Sequence, residues 1–333
     1  MNIVLVDDSA VIRSILREVF ENALGFEVVA EASNGEKGVE VVQQYRPDLV
    51  IMDMNMPVMN GLEATRKIMA DCPVPVCIFS NDVDSDLTVQ ALGAGALDAI
   101  RKPELDRFND KAFLQDFLAR LTQLAAVQIK RSAAVAAGPG VKAGSAVIKA
   151  VVIGASTGGP AALKEVLCRI PRDFPVGIAL VQHIEDRFDK SFADWLNGQT
   201  ELDVRLAGDG ERFEPGTVLI APGGKHLRCR EGLLYLDDGP RVGNQKPAVD
   251  VLFESAAGWF GQNLLAVLLT GMGADGASGS ELVKNRGGHT VVQDEASCAV
   301  YGMPRAAIER GAASVVLPLL EIPEYLRAYV GKI

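Results

Sequence analysis

With 333 residues, 35.5 kDa and 48% hydrophobic against 23% charged residues, the chain is long for one compact domain and ordinary in composition for globular proteins. A net charge of −10, with no lysine/arginine run, leaves no basic face for a phosphate backbone and excludes nucleic-acid binding as the main task. Five cysteines without a C-x-x-C pair, a start MNIVLVDD without a basic segment, and apolar runs no longer than Leu264–Leu269 predict a reduced, cytoplasmic protein without membrane insertion.

From the N-terminus, Ile3–Val6, Val28–Ala30, Leu49–Met52, Val76–Phe79 and Ala96–Ile100 read as short strands, separated by amphipathic stretches such as Ala10–Ala23 and Glu36–Tyr45. This alternation predicts a parallel sheet covered by helices on both faces, closed by a helix from Asp110 to Lys130. The composition then shifts. Arg131–Ala146 is rich in glycine and alanine and has no apolar period, so residues 126–146 read as a linker between domains at 1–125 and 147–333. In the second domain the predicted strands are Ala150–Ile153, Gly177–Val181, Thr217–Ile220, Leu233–Leu236, Leu265–Leu269, Thr290–Val292 and Ser314–Leu317, with no helix-turn-helix pattern among them. The expected fold class is α/β, with two doubly wound parallel-sheet domains.

Open parallel sheets gather functional groups at the carboxyl ends of their strands. Asp7 and Asp8 follow the first strand, Asp53 the third, Ser80 the fourth, and Lys102, just before Pro103, the fifth. Three carboxylates brought together need a cation, and hard oxygen ligands with room for water suit Mg²⁺. One carboxylate then acts as nucleophile toward a phosphoryl group, with Lys102 and the metal neutralising the phosphate and the Ser80 hydroxyl bonding it. A single aspartate at a strand end is usually a cap or a solvated loop residue; a matched set in this order is not. Asp48 and Asp98 lie away from the carboxyl ends and read as structural.

The segments VDDSAVIRSIL, LVIMDMNMPVMNGLEATR and GALDAIRKP resemble the receiver domain of two-component response regulators. The resemblance implies a flavodoxin-like fold and phosphorylation of Asp53 by a histidine kinase. It also implies Mg²⁺ ligation by Asp7, Asp8, Asp53 and the Asn55 carbonyl, with Ser80 and Lys102 as switch residues. Two positions depart from the family pattern. Ala99 stands where receivers commonly carry the aromatic switch residue, and Asn60 replaces the usual aspartate of the M-P-x-M-D-G turn.

In the second domain, strand Ala150–Ile153 runs into Gly154–Pro160 and then into the helical pattern AALKEVL. No G-K-[ST] follows, which excludes a P-loop, and neither the glycine spacing nor the apolar stretch Val176–Val181 suits a dinucleotide site. Gly154-x-Ser156-x-Gly158 matches a serine nucleophile on a strand–turn–helix elbow. The base comes from His183, His226 or His289. His183 ends the next strand, His226 follows another through APGGK, and His289 begins a strand, at the wrong end of the sheet. The orienting acid is Asp275, in the loop TGMGADG, or Asp294 after HTVVQ. An order Ser156…His183…Asp275 differs from that of α/β-hydrolases, so the elbow does not imply that fold.

The motifs IGASTGGP, LVQHI, IAPGGKHL, PAVDVLFESAA, LLTGMGADGA and QDEASCAVYGMP resemble the catalytic domain of chemotaxis protein-glutamate methylesterases, the CheB family. The resemblance implies a Rossmann-like domain, the triad Ser156, His183 and Asp275, and an oxyanion hole from the backbone N–H groups of Thr157 and Met272. It implies hydrolysis of γ-glutamyl methyl esters on methyl-accepting chemoreceptors, with deamidation of receptor glutamines beside it and no cofactor for the esterase. The domain order suggests that the receiver covers the esterase pocket until Asp53 is phosphorylated. Two other readings are a methylesterase serving a receptor outside chemotaxis and a non-catalytic, phosphorylation-dependent adaptor.

Overall fold

A computed structural model describes residues 1–81, 85–127 and 147–331. The chain parts after Ile129 into two compact units. Residues 128–146, most of the expected linker, lie outside the described residues.

The first unit runs β1 (Asn2–Val6), α1 (Ala10–Glu21), β2 (Glu27–Ala32), α2 (Gly35–Tyr45), β3 (Leu49–Met52), α3 (Gly61–Asp71), β4 (Val76–Ser80), α4 (Ser85–Gly93), β5 (Asp98–Arg101) and α5 (Lys111–Ala125). Its sheet has the order β2-β1-β3-β4-β5 with every pairing parallel. The residues of β3 and β4 are buried throughout, as central strands covered on both faces require. Side-chain caps fix where the helices begin: Ser9 for α1, Asn34 for α2, Asn60 for α3 and Asp110 for α5. Each such cap contributes about 1 kcal/mol. Asn60 also closes a capping box with Glu63, which accounts for asparagine serving where aspartate is usual. Helix α5 ends earlier than expected, at Ala125. Asp98 holds Arg120 through two bonds of 2.7 Å, and Asp48 accepts the Asn2 N–H at 2.7 Å, so both play the structural role expected of them.

The second unit continues with β6 (Ala150–Ala155), α6 (Gly159–Leu167), β7 (Ile178–Gln182), α7 (Asp189–Asn197), β8 (Asp203–Leu206), β9 (Glu211–Arg212), β10 (Thr217–Ile220), β11 (His226–Arg230), β12 (Leu233–Asp237), α8 (Val249–Phe260), β13 (Leu264–Leu268), α9 (Ala277–Asn285), β14 (His289–Gln293), α10 (Met303–Glu309), β15 (Val315–Leu317) and α11 (Ile322–Val330). Seven strands form a parallel sheet in the order β15-β14-β13-β6-β7-β10-β8, and β11-β12-β9 form a small antiparallel one. The sheet order reverses between β6 and β13, so a crevice opens at the carboxyl ends of these neighbours. Three strands lack the continuous apolar runs by which their neighbours were read: β8 and β11 alternate buried and exposed residues, and β9 is only Glu211–Arg212. Among the described residues no helix is long and apolar enough to cross a membrane.

His289 opens β14 at the amino end of the sheet. Its Nε2 lies 2.7 Å from the Tyr325 hydroxyl, and its ring stacks on Tyr329 with centroids 4.4 Å apart. Burial lowers its pKa from 6.5 to about 4. The folded pKa is depressed, so as pH falls through 6.5 the unfolded chain takes up this proton first. The stability contributed by neutral His289 is therefore lost between 6.5 and about 4 and is flat below. Denaturation midpoints measured across that window should fall less steeply in His289→Gln than in the parent; equal slopes would refute the assignment.

Candidate active site

The first unit gathers its expected residues into one cleft. Asp7, Asp8 and Asp53 each offer a carboxylate oxygen within 4.8 Å of the others. The Lys102 Nζ bridges Asp7 Oδ2 at 2.9 Å and Asp53 Oδ1 at 2.8 Å. Asn55 and Asn81 line the same cleft of about 460 Å³ with Asp8, Asp53 and Lys102. Ser80 ends β4, and its hydroxyl donates to the Asn81 carbonyl at 3.2 Å. Burial lifts Asp53 to about 6, aided by the neighbouring Asp7 charge and opposed by Lys102 and the Met54 N–H. For Lys102, burial pulls the pKa down, but the bonds it donates to Asp53 and Asp7 outweigh it and the net shift is upward. A single ammonium leaves this carboxylate cluster short of positive charge, and hard oxygen donors around a polar cleft fit a hard divalent cation. Ala99 is buried on β5 with a side chain too small to swing between two positions.

In the second unit, Ser156, His183 and Asp275 follow β6, β7 and β13, the strands flanking the reversal point. The β6–β7 register sets Ala155 opposite Gln182, and the His183 N–H donates to the Ala155 carbonyl at 3.0 Å. Ser156 and His183 are thus neighbours on adjacent strand ends. The Ser156 N–H is taken by the Thr270 carbonyl at 3.0 Å, and the Thr270 hydroxyl donates to the Thr157 carbonyl at 3.0 Å. Gly158 adopts a left-handed φ of 73° at the start of α6, a turn that glycine makes without strain and that begins the helix three residues after Ser156. Gly271 brings the Met272 loop close: a Cβ there would stand 2.7 Å from the Ser156 Cβ. Among the described residues, the N–H groups of Thr157 and Met272 enter no hydrogen bond.

The structure pairs His183 Nε2 with Asp275 Oδ2 at 2.8 Å, both side chains buried. The same carboxylate accepts the Val249 N–H at 2.7 Å and the Asp250 N–H at 2.9 Å, so it caps the start of α8. Burial pushes the Asp275 pKa up, but His183 and the two N–H groups outweigh it and hold the carboxyl below its ordinary range. An ionised Asp275 fixes the proton on Nε2 and leaves the lone pair on Nδ1, which is buried and unpartnered. Among the described residues no hydrogen bond closes from the Ser156 hydroxyl onto the ring. Such bonds commonly tighten only when substrate binds.

The rival residues stand elsewhere. His226 begins β11 with Nε2 2.9 Å from the Pro240 carbonyl and Nδ1 accepting the Ala248 N–H at 3.2 Å, so neither nitrogen is left for a serine. Asp294 accepts the Ser297 N–H at 3.0 Å in a local turn after β14, one strand further from β6. Two polar residues of the site lay unnoticed in the sequence. Asp250 accepts the Gly279 N–H at 2.7 Å, so α8 and α9 exchange carboxylate caps across Asp250 and Asp275. Burial, with the adjacent Asp275 charge, lifts Asp250 to about 6 despite the Gly279 bond. Gln182 is buried, with its amide on the Ser156 carbonyl. Its only signal was a polar residue closing an otherwise apolar strand, IALVQ.

Comparison with known proteins separates the two units. Residues 151–326 match the family described as CheB methylesterase, and residues 3–112 match the response regulator receiver domain. A protein of Anaeromyxobacter dehalogenans named protein-glutamate methylesterase/protein-glutamine glutaminase 2 is 42% identical over 98% of this chain and 96% of its own. One of Pseudomonas aeruginosa with the same name is 42% identical over 97% of this chain and 95% of its own. The crystal structure of the Thermotoga maritima CheB methylesterase catalytic domain superposes with a TM-score of 0.52 at 44% identity, over 54% of this chain and 97% of its own.

Proposed function

The chain belongs to the CheB methylesterase family, and from that premise we propose a phosphorylation-activated protein-glutamate methylesterase that uses Ser156, His183 and Asp275. The observation that carries this reading is the buried His183–Asp275 pair, with an unpartnered Nδ1, on the strand ends flanking Ser156. His183 Nδ1 takes the hydroxyl proton as Ser156 Oγ attacks the γ-carbonyl of a methylated receptor glutamate. The oxyanion is received by the N–H groups of Thr157 and Met272, beside the α6 N-terminus. The imidazolium, held by Asp275, returns its proton to the departing methoxide, and methanol leaves a glutamyl ester on Ser156. Water, deprotonated by Nδ1, then attacks that ester; the Ser156 Oγ leaves, takes the proton back from His183, and the glutamate carboxylate is freed. A receptor glutamine follows the same route with ammonia as leaving group, which supports a glutaminase activity beside the esterase.

The receiver takes a phosphoryl group from a histidine kinase onto Asp53. Asp7, Asp8, Asp53 and the Asn55 carbonyl would hold Mg²⁺, which supplies charge neutralisation of the phosphoryl oxygens. Lys102, already between Asp7 and Asp53, is placed to follow the new charge, and the Ser80 hydroxyl to bond a phosphoryl oxygen. With Ala99 in the usual aromatic position, the signal leaves the domain by a route other than a swinging ring. The substrates are the cytoplasmic helices of methyl-accepting chemoreceptors, which places the enzyme in the cytoplasm.

Methanol release from methylated receptor tests the reading: the parent should release it and Ser156→Ala should not, and equal rates would end the serine-esterase proposal. A small-molecule phosphodonor with Mg²⁺ should raise the parent's rate by roughly 5–150-fold, the range of ordinary allosteric coupling. Asp53→Asn should not respond. A response in Asp53→Asn equal to the parent's would move the phosphorylation site elsewhere.

A further inference from the structure

Gln182 is the last residue of β7 and is 3% exposed. Its side-chain amide reaches in two directions. Nε2 donates to the Ser156 carbonyl at 2.9 Å and to the His183 carbonyl at 2.8 Å. Those acceptors fix the amide's orientation, because a flipped Gln182 would set its oxygen against two carbonyl oxygens. Oε1 is left buried without a partner, where a Cβ on Gly159 would stand 2.0 Å from it. The Gly159 N–H donates to the same Ser156 carbonyl at 2.7 Å. A buried acceptor without a partner costs stability, and what offsets it here is the pair of bonds that Nε2 donates to the Ser156 and His183 carbonyls. A glutamine here is therefore not explained by packing.

We propose that Gln182 is a positioning residue for the esterase: its amide ties the nucleophile's peptide to the base's peptide and sets the spacing across which Ser156 gives its proton to His183. The inference rests on the proposed serine-esterase reading. Neither backbone needs this bond to stay in the sheet, since β6 and β7 are already joined along their length. The amide acts on the residues just past the last ladder pair, Ala155 with Gln182, where the two side chains must still meet. Misplacing reacting groups by a fraction of an ångström lowers turnover without weakening substrate capture.

The test compares the parent, Gln182→Met and Ser156→Ala in Michaelis kinetics of methanol release, labelling of Ser156 by a fluorophosphonate probe, and thermal melting. Gln182→Met keeps the volume and removes both donors. It should lower kcat and the labelling rate by roughly tenfold to a hundredfold, the cost of a misplaced nucleophile and base, with KM little changed and the melting temperature a few degrees lower for the lost hydrogen bonds. A Gln182→Met enzyme with the parent's kcat and labelling rate beside an inactive Ser156→Ala would overturn the positioning role alone. So would a loss confined to KM. A fully active Ser156→Ala would instead overturn the serine reading beneath it. Should Gln182→Met not fold, Gln182→Asn serves: its shorter amide reaches one carbonyl and gives an intermediate kcat, and an undiminished kcat would overturn the proposal.

Discussion

Changing Ser156 or His183 singly to alanine is expected to lower methanol release by roughly 10⁶-fold, and changing both together to lower it no further. The nucleophile is useful only while a base can take its proton, and the base only while a nucleophile is there to lose one. Either deletion leaves the same remnant: the N–H groups of Thr157 and Met272 and the binding of the receptor helix, which still give roughly 10³–10⁴-fold over water. Folding should survive both changes. Ser156→Ala removes one hydroxyl, and without His183 the Asp275 carboxylate keeps its bonds from the Val249 and Asp250 N–H groups. Single-turnover methanol release from the single and double variants settles the matter. A double variant whose loss is the product of the single losses would show that the two residues do not act as a unit.

The receiver cleft was largely legible in the sequence because each of its groups sits at the end of a short apolar run, and the parallel order of those runs brings the ends together. Asp7, Asp53 and Lys102 meet for no further reason than sheet topology. The second domain was harder to read. Asp275 and Asp294 each follow a buried strand in a polar loop, and nothing local distinguishes them. What separates them is that β13, not β14, lies beside β6, and strand order is a property of the whole chain. His226 is a rival base in the sequence because it follows a strand through APGGK; in the antiparallel sheet both its ring nitrogens are spent. The exchange of caps between α8 and α9 and the reach of the Gln182 amide depend on side-chain directions across elements far apart in sequence. No periodicity encodes them.

Asp275→Asn should cost roughly 10⁴-fold in kcat with little change in KM, although it alters a single atom pair. The carboxylate meets only donors: His183 Nε2–H and the Val249 N–H at Oδ2, and the Asp250 N–H at Oδ1. An asparagine has one oxygen to offer, and its NH₂ must face one of these sets. With NH₂ toward His183, the ring answers by moving its proton to Nδ1, and the lone pair that Ser156 needs is gone. With NH₂ toward Asp250, the first turn of α8 loses an acceptor, and the imidazolium formed during attack loses its counter-charge in a buried setting. In either orientation the helix start gives up a negative charge worth about 0.3–1 kcal/mol, so melting should fall by only a few degrees. Because Asp275 is held below its ordinary carboxylate range, it stays ionised as pH falls, and the parent's loss of rate on acidification should track another group. Asp275→Asn should be slow across the whole profile. A variant that matched the parent at any pH would show that the carboxylate serves only as the cap of α8.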